Sequence, residues 1–178
     1  MRVITSFDEL TPVPWANGAG QTTELVSLEA SAVLTPNLRR WRLSIARLER
    51  TAPFSPLPGL ARTFLPTGAE VVLEIDGHVH RVRPGAPVQF RGEQDVSLIE
   101  LESPCFAINL MVEDGEGDAL EMSTRAAELA QPGHGQARGT RRQFALTMES
   151  DADHPRFQLI DIEGANDLPN HLGAVFLQ

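Results

Sequence analysis

Apolar and polar residues alternate over short stretches along most of this chain, which is the period of a half-buried β-strand. Signals for turns, rich in Gly, Pro and Asp, separate these stretches at intervals of about 8–12 residues. The stretches that predict strands are 22–28, 41–48, 70–75, 79–83, 87–90, 96–101, 106–112, 144–148, 157–162 and 174–177. The dipeptide Asp76-Gly77 joins two of them as a two-residue hairpin. This rhythm predicts an all-β fold, either a sandwich or a barrel.

An acidic, glycine-bearing segment at 113–118 interrupts the pattern and predicts an internal boundary. We therefore expect an N-terminal module over 1–112 and a second group of strands over 113–178. The Ala, Leu, Glu and Met content of 119–130 favours a helix, although a strand there stays open. The glycine-rich stretch 131–140 predicts a loop.

The charge and composition of the chain argue against several classes of partner and location. The formal net charge of -9 argues against a nucleic-acid partner, because phosphate binding requires clustered cations. No run approaches the ~18 apolar residues of a membrane span, and the first residues lack the apolar core of a signal peptide. A single cysteine, Cys105, excludes an internal disulfide. We expect a cytoplasmic protein with no nucleic-acid and no membrane partner.

His78 and His80 share one face of a strand, as a pair of metal ligands would. No carboxylate follows them, and Arg81 and Arg83 lie in the positions nearby, where a cation is unfavourable. We interpret the pair as solvated surface residues and expect no metal and no cofactor. Cys105 has no neighbouring cation to activate it and is expected to pack in the core.

The segment 14–25 is the most informative part of the chain. Gly18 and Gly20 permit backbone conformations closed to other residues and allow a close approach. Asn17 tolerates a left-handed backbone and offers a donor and an acceptor, while Trp15 supplies a flat apolar wall. Beyond this turn, one strand face is expected to hold Thr22, Glu24, Val26 and Leu28.

The stretch 41–48 divides into a large apolar face and a small polar face. The apolar face holds Trp41, Leu43 and Ile45, and the other holds Arg42, Ser44 and Ala46. In a closed barrel the small face would line a lumen and the large one would pack outward. A buried Arg42 needs a partner, and Glu24 on a neighbouring strand is the expected one.

Two further elements carry candidate residues. The proline-rich segment 53–63, which includes Phe54, predicts an ordered connector that ends near Arg62. The Arg62 side chain is either a group that binds a carboxylate with two parallel hydrogen bonds or a solvated surface charge, and the sequence leaves both open. Asn109 is the one polar residue of 106–111 and is expected to have a specific partner or to face a cavity.

Taken in order, these motifs resemble those of the HutD/Ves family over residues 10–112. The matching positions are Trp15, Asn17, Gly18, Gly20, Thr22, Glu24, Trp41, Arg42, Ser44, Ala46, Pro53, Phe54, Ser55, Pro58, Gly59, Arg62, Asn109 and Met111. The chain departs from the family pattern at Ala16 and Thr23, where the family has Lys and Arg. It departs again at Ala61 and Ala107, where the family has Asp, so two cations and two anions are lost together.

The resemblance implies a cupin-like (RmlC-type) double-stranded β-helix, as a fused bicupin with two barrels and without metal ligands. It also implies a metabolite-binding regulator linked to histidine utilisation or to stress responses. The ligand would be a small anionic or imidazole-type metabolite, such as urocanate or a formylated glutamate. No catalytic residue is implied, and β-barrels with exposed edges predict a homodimer.

The expected ligand-binding residues are Trp15, Asn17, Gly18, Gly20, Thr22, Glu24, Arg42, Ser44, Phe54, Arg62 and Asn109. Two alternatives stay open on the sequence: a metal-independent cupin enzyme, an isomerase or hydrolase with Glu24 as general base, and a scaffold that binds proteins through its acidic surface. A neutralised Glu24 would favour a sensor, whereas a Glu24 that lines an open cavity would favour an enzyme.

Overall fold

The computed structural model describes residues 1–124, 142–163, 167 and 173–178. The strands in chain order are β1 (Arg2–Ser6), β2 (Val13–Pro14), β3 (Gly20–Val26), β4 (Trp41–Leu48), β5 (Ala52–Pro53), β6 (Leu60–Thr67), β7 (Val71–Ile75), β8 (His78–Val82), β9 (Val88–Arg91), β10 (Val96–Leu101), β11 (Cys105–Glu113), β12 (Met122–Ser123), β13 (Gln143–Thr147), β14 (Gln158–Ile162) and β15 (Ala174–Leu177). A 3-10 helix covers Phe7–Glu9 and one α-helix, α1, covers Leu28–Leu34. Within the described ranges the fold is therefore all-β, as the sequence predicts.

The chain divides into two compact units. One holds residues 11–119 and the other holds 1–10 together with 120–178. Residues 1–10 belong to the smaller unit because the first strand of the chain pairs with β14. Whether 113–178 complete a second cupin-like module stays a prediction.

The larger unit contains two sheets. A six-stranded antiparallel sheet has the order β2-β3-β4-β11-β6-β9, and a four-stranded sheet has the order β5-β10-β7-β8. A hydrophobic cluster draws on both sheets and includes Leu48, Phe64, Phe90, Leu73 and Leu98. One face of the six-stranded sheet therefore contributes to this shared core.

The hairpin expected at Asp76-Gly77 is present between β7 and β8. Both residues have positive φ angles, 49° and 79°, the backbone combination that a two-residue hairpin turn requires. Glycine is favoured at the second position because it has no Cβ to clash there.

Helix α1 was missed by the sequence reasoning, which extended the strand of 22–28 into it. The register of β3 against β4 shifts between Glu24 and Val26, so Val26 pairs with Leu43 and leaves the face that Thr22 and Glu24 share. Leu28 opens the helix, and the Ser27 side chain caps it by accepting a hydrogen bond from the Ala30 backbone N–H. A serine cap before an alanine-rich run was the available signal.

The segment 53–63 is only partly a connector. Ala52–Pro53 is the short edge strand β5, and β6 begins at Leu60, immediately after Gly59 with φ of 83°. The prolines prevent strand pairing between these two points, but 60–67 alternates well enough to pair with β11 over its whole length. Arg62 consequently lies inside a central strand.

The smaller unit is a five-stranded sheet of order β1-β14-β13-β15-β12. Strands expected at 144–148, 157–162 and 174–177 are all present within one residue of those bounds. In the stretch left open between helix and strand, Met122–Ser123 is strand β12. The rest of that stretch from residue 125, and the loop expected at 131–140, lie outside the described residues.

Candidate functional site

One face of the six-stranded sheet gathers most of the polar residues that the sequence singled out. Paired positions of neighbouring antiparallel strands point to the same side, and the register pairs Glu24 with Ser44, Ser44 with Asn109, and Met111 with both Arg42 and Arg62. The polar face so defined comprises Thr22, Glu24, Arg42, Ser44, Arg62 and Asn109. The expected division of 41–48 into two faces is present, since Trp41, Leu43 and Ile45 are buried on the opposite face. The lumen expected beside the small face is not seen among the described residues, because Ala46 packs into a core and the sheet is not closed into a barrel.

The polar face continues directly into the apolar core. Further along the same strands Ala46, Leu48, Phe64 and Ala107 belong to the cluster shared with the four-stranded sheet. The candidate site is thus a polar patch at one end of a buried apolar face, where the low dielectric strengthens any charge interaction.

Arg62 is a buried cation at the β6 end of the patch. It is 8% exposed, and its guanidinium carbon lies 5.4 Å from the ring centroid of Phe54 and 5.0 Å from that of Phe90. One Nη donates a hydrogen bond of 3.2 Å to Oδ1 of Asn109, and Nε is buried without a hydrogen-bond partner. Among the described residues, the buried Arg62 guanidinium therefore contacts aromatic rings and one neutral amide oxygen.

Burial, and after it the charge of Arg42, lower the pKa of Arg62 to about 10. Desolvation disfavours the charged form of any base, and a second guanidinium nearby acts in the same direction. At neutral pH the side chain remains a cation, and the burial of its charge lowers the free energy of unfolding.

Ser44 and Asn109 are two further buried polar residues of the same face, and Asn109 lies on the strand next to that of Arg62. Asn109 is 4% exposed and accepts the Arg62 hydrogen bond, which confirms the expectation that a polar residue in this strand has a specific partner. Ser44 is 1% exposed and its Oγ has no hydrogen-bond partner. Two buried polar groups, the Arg62 Nε and the Ser44 Oγ, are left unsatisfied in one patch, although such groups are normally paired.

The pairing expected between Glu24 and Arg42 is present. The Arg42 Nε donates to a Glu24 carboxylate oxygen, and a second Arg42 nitrogen lies 3.9 Å from the sulfur of Met111. Both side chains are partly exposed, 43% for Glu24 and 27% for Arg42. Glu24 therefore has Arg42 as its counter-ion, and the choice between a binding protein and an enzyme stays a prediction.

The glycine-rich turn is held by its own contacts. Trp15 Nε1 donates to the Thr22 hydroxyl at 2.8 Å, and the Asn17 side chain accepts from the Ala19 backbone N–H at 3.0 Å. Gly18 has φ of 65°, and its carbonyl accepts a hydrogen bond from Arg50. These contacts form a rigid turn, and a ligand-binding role for its residues stays a prediction.

Gly20 marks a close approach between two strands. A Cβ built on it would lie 2.3 Å from the Arg47 backbone carbonyl oxygen and 3.2 Å from the Trp15 ring. Trp15 in turn packs against Phe54 at 6.4 Å between centroids. The turn therefore reaches Arg62 indirectly, through the Phe54 ring that lies against the guanidinium.

The remaining sequence candidates stand apart from this face. His78 and His80 are exposed on the edge strand β8, and no group of three or more His, Cys, Asp or Glu side chains in the described ranges could hold a metal ion. Cys105 is buried in the shared core, and burial raises the pKa of its thiol. In the part of the chain that the structure describes, no helix has the length and apolarity needed to cross a membrane.

A depression of about 410 Å³ lies elsewhere, between Glu70, Val72, Arg81, Glu100, Leu101 and Glu102. Its lining is acidic and open to solvent, and Arg81 is already paired with Glu70 and Glu100. We place the candidate site at the polar face and not at this depression, because the polar face contains buried polar groups without hydrogen-bond partners.

Comparisons with known proteins agree with this architecture. The family model described as HutD matches residues 8–158. No curated protein sequence matches the chain.

Some solved structures match nearly the whole chain and others match part of it. A HutD protein from Pseudomonas fluorescens SBW25, in a structure described as a formate condition, is 21% identical with a TM-score of 0.62, over 98% of this chain and 91% of that one. A conserved protein of unknown function from Pseudomonas aeruginosa PAO1 is 18% identical with a TM-score of 0.62, over 98% and 89%. An ectoine synthase from P. lautus is 10% identical with a TM-score of 0.51, over 62% and 78%.

Proposed function

Because this chain belongs to the HutD family, we propose that it is a metabolite-binding protein that holds a small carboxylate on Arg62. The larger unit supplies the site, and the metabolite is the small anionic or imidazole-type compound expected from the sequence. The protein would act as a regulator linked to histidine utilisation or to stress responses, in the cytoplasm and as a homodimer.

The observation that carries the proposal is the state of the Arg62 guanidinium. Aromatic rings approach it while Nε lacks a partner, and among the described residues no carboxylate forms an ion pair with it. A buried charge normally has a counter-ion because desolvation is costly. A guanidinium presents its donors in the plane of the group, in a fork that matches a carboxylate.

Two observations support the choice of ligand. The HutD protein from P. fluorescens has a structure described as a formate condition, and formate is the smallest carboxylate. The Phe54 and Phe90 rings beside Arg62 also suit an unsaturated or planar carboxylate such as urocanate.

We also propose the finer architecture that the sequence predicted. We expect the larger unit to be one cupin-like module and the strands of 120–178 to complete a second, as a fused bicupin. The two sheets that share a core within residues 11–119 support the first part of this expectation.

Thermal melts with formate, urocanate, N-formylglutamate and histidine test the function. A specific ligand at 100 times its Kd adds about 2.7 kcal/mol of stability, which is visible as an upward shift of Tm. The Arg62→Met variant should show no ligand-induced shift of Tm. Without ligand, the free energy of unfolding of this variant should be no more than about 1 kcal/mol below that of the wild type, since an apolar side chain of similar size can replace a buried ion without loss.

The matched control is Arg47→Met. Arg47 lies on the opposite face of β4, is paired with Glu49 at 3.2 Å, and has the same charge. This variant should keep the ligand-induced shift. A shift of equal size in Arg62→Met and in the wild type would overturn the proposal, as would the absence of any shift with all four compounds.

A further inference from the structure

Strand β8 is an outer strand of the four-stranded sheet. Within residues 11–119, all of which the structure describes, it pairs with β7 and with no other strand. Residues 78–81 of this strand are exposed, and Val79 is 64% exposed. An edge strand of this kind presents unpaired backbone N–H and C=O groups to any strand that can lie beside it.

The other three sheet edges of this unit carry features that hinder such pairing. Strands β2 and β5 have two residues each and end in Pro14 and Pro53, which have no N–H to donate. Strand β9 begins directly after Pro87, and the backbone N–H of Arg91 at its end donates to the Gln94 side chain at 2.8 Å. Strand β8 has five residues and no proline, so it is the edge of residues 11–119 that is best able to accept another strand.

The hairpin register determines which backbone groups of β8 point outward. The two-residue turn closes on the pair of Ile75 and His78, and hydrogen-bonded pairs alternate with non-hydrogen-bonded pairs along antiparallel strands. The backbone groups of His78 and His80 are therefore directed to β7. Those of Val79 and Arg81 are directed away from the sheet, one residue to either side of His80.

The charges along this edge allow an identical strand to approach. Arg81 is the one Asp, Glu, Lys or Arg residue of β8, and it is paired with Glu70 at 2.7 Å and with Glu100 at 3.5 Å. In an antiparallel pair centred on His80, Arg81 lies opposite Val79 of the second copy and not opposite another arginine. Like charges directly opposite each other would destabilise the pair, and this register avoids them.

We propose that two copies of this chain pair edge to edge along β8, antiparallel, about a two-fold axis that passes beside His80. Val79 of each copy exchanges two backbone hydrogen bonds with Arg81 of the other, and the two His80 residues form the non-hydrogen-bonded pair on the axis. A second copy matches the spacing of the outward groups by symmetry, as an isologous interface requires. The interface lies on the four-stranded sheet, so it does not depend on the carboxylate site, and it specifies how the homodimer proposed above would form.

A disulfide across the axis tests this register. Non-hydrogen-bonded partners in an antiparallel pair have Cα atoms about 4.5 Å apart, a distance that a disulfide can span. The full-length His80→Cys variant should therefore form a covalent dimer in a glutathione redox buffer, as non-reducing gel electrophoresis detects.

The matched control is His78→Cys, which replaces an exposed histidine on the same face of the same strand. In the proposed register the two residues 78 are four positions apart along the ladder, about 14 Å between Cα atoms, which is too far for a disulfide. This variant should form no covalent dimer. The buried Cys105 is present in both variants and does not distinguish them.

Removal of an outward backbone donor tests the hydrogen bonds. Val79→Pro removes an N–H that points away from β7, a substitution that an edge strand tolerates, and the control Val79→Ala keeps this N–H. Sedimentation velocity over an about hundredfold range of concentration should show a dimer for the wild type and for Val79→Ala. The dimer Kd of Val79→Pro should be at least about tenfold higher than that of Val79→Ala, because each dimer loses two hydrogen bonds by symmetry.

The outcomes separate this inference from the proposed function. A wild-type dimer that His80→Cys does not cross-link, or that His78→Cys cross-links equally well, would overturn the pairing along β8 and leave a homodimer through another surface standing. An unchanged Kd in Val79→Pro would overturn it as well. Should circular dichroism show that Val79→Pro is unfolded, the two cysteine variants decide the question. A wild type that stays monomeric would overturn both this interface and the proposed homodimer, while the ligand-induced shifts of Tm test the carboxylate site independently.

Discussion

At the scale of single residues, Arg62 and Gly20 illustrate opposite relations between a side chain and the fold. Gly20 is required by geometry, because any Cβ there would overlap a backbone carbonyl oxygen. Arg62 carries a charge that no carboxylate among the described residues neutralises, with a pKa lowered to about 10 by burial and by Arg42. The first residue permits the close approach of two strands, and the second is the residue on which the proposed function rests.

The lowered pKa of Arg62 predicts the pH dependence of binding. Carboxylate affinity should be constant from about pH 6 to pH 9 and fall as the pH passes 10, because only the protonated guanidinium attracts the anion. A folded-state pKa below the unfolded value also means that the burial cost is fully present below pH 10 and is relieved as the pH rises further. Calorimetric titration with N-formylglutamate between pH 6 and pH 10.5 measures the first effect.

The stability difference between the wild type and Arg62→Met, followed by urea unfolding over pH 8 to pH 11, measures the second. As the pH rises above 10, the free energy of unfolding of the wild type should increase relative to that of Arg62→Met. An affinity that already falls by a factor of ten between pH 7 and pH 9 would show that another group controls binding.

At the scale of elements, helix α1 is joined to strand β4 by two hydroxyl groups. The Ser31 Oγ accepts a 2.9 Å hydrogen bond from the Trp41 backbone N–H, and the Thr35 Oγ1 accepts one of 2.8 Å from Trp41 Nε1. Ser31 and Trp41 are both fully buried. These bonds fix where β4 begins and hence the register that places Arg42 and Ser44 on the polar face.

Ser31→Ala should therefore lower the free energy of unfolding by about 1–3 kcal/mol, since it removes the hydroxyl that accepts a hydrogen bond from the buried Trp41 backbone N–H. Urea unfolding followed by tryptophan fluorescence measures the loss. Val33→Ala, at a position of the same helix that is 83% exposed, should change the stability by no more than about 0.5 kcal/mol. Equal losses in the two variants would mean that the contact with β4 contributes nothing.

At the scale of the whole molecule, the division into two units predicts where a ligand acts. Binding stabilises only the conformations that hold the ligand, and its effect appears in the segments whose opening destroys the site. All residues of the polar face belong to the unit of 11–119. The strands of the other unit contribute none of them.

Hydrogen exchange with saturating N-formylglutamate should therefore slow the amides of β3, β4, β6 and β11 and leave those of β13 and β14 unchanged. The Arg62→Met variant under the same conditions gives the baseline without specific binding. Protection of equal size in both units would show that they open as one cooperative body and would contradict the prediction.

Local sequence patterns were sufficient to predict the strand faces, one ion pair and the family of this protein. The alternation of 41–48 assigned each side chain to the correct face, and the pairing of Glu24 with Arg42 followed from the need to neutralise a charge on that face. Both inferences depend on the period of a strand and on neighbouring positions, which are properties of the sequence. The order of the motifs was sufficient to indicate the family.

Tertiary structure decided the rest. The proline-rich composition before Arg62 hid the strand that begins at Leu60, and only pairing with β11 shows that Arg62 is central and meets Asn109, 47 residues away. The first strand of the chain joins the unit of residues 120–178 by pairing with β14, a contact that no local signal specifies. Such long-range pairings are set by which strands can bury complementary faces together, and that depends on the whole chain and not on any segment of it.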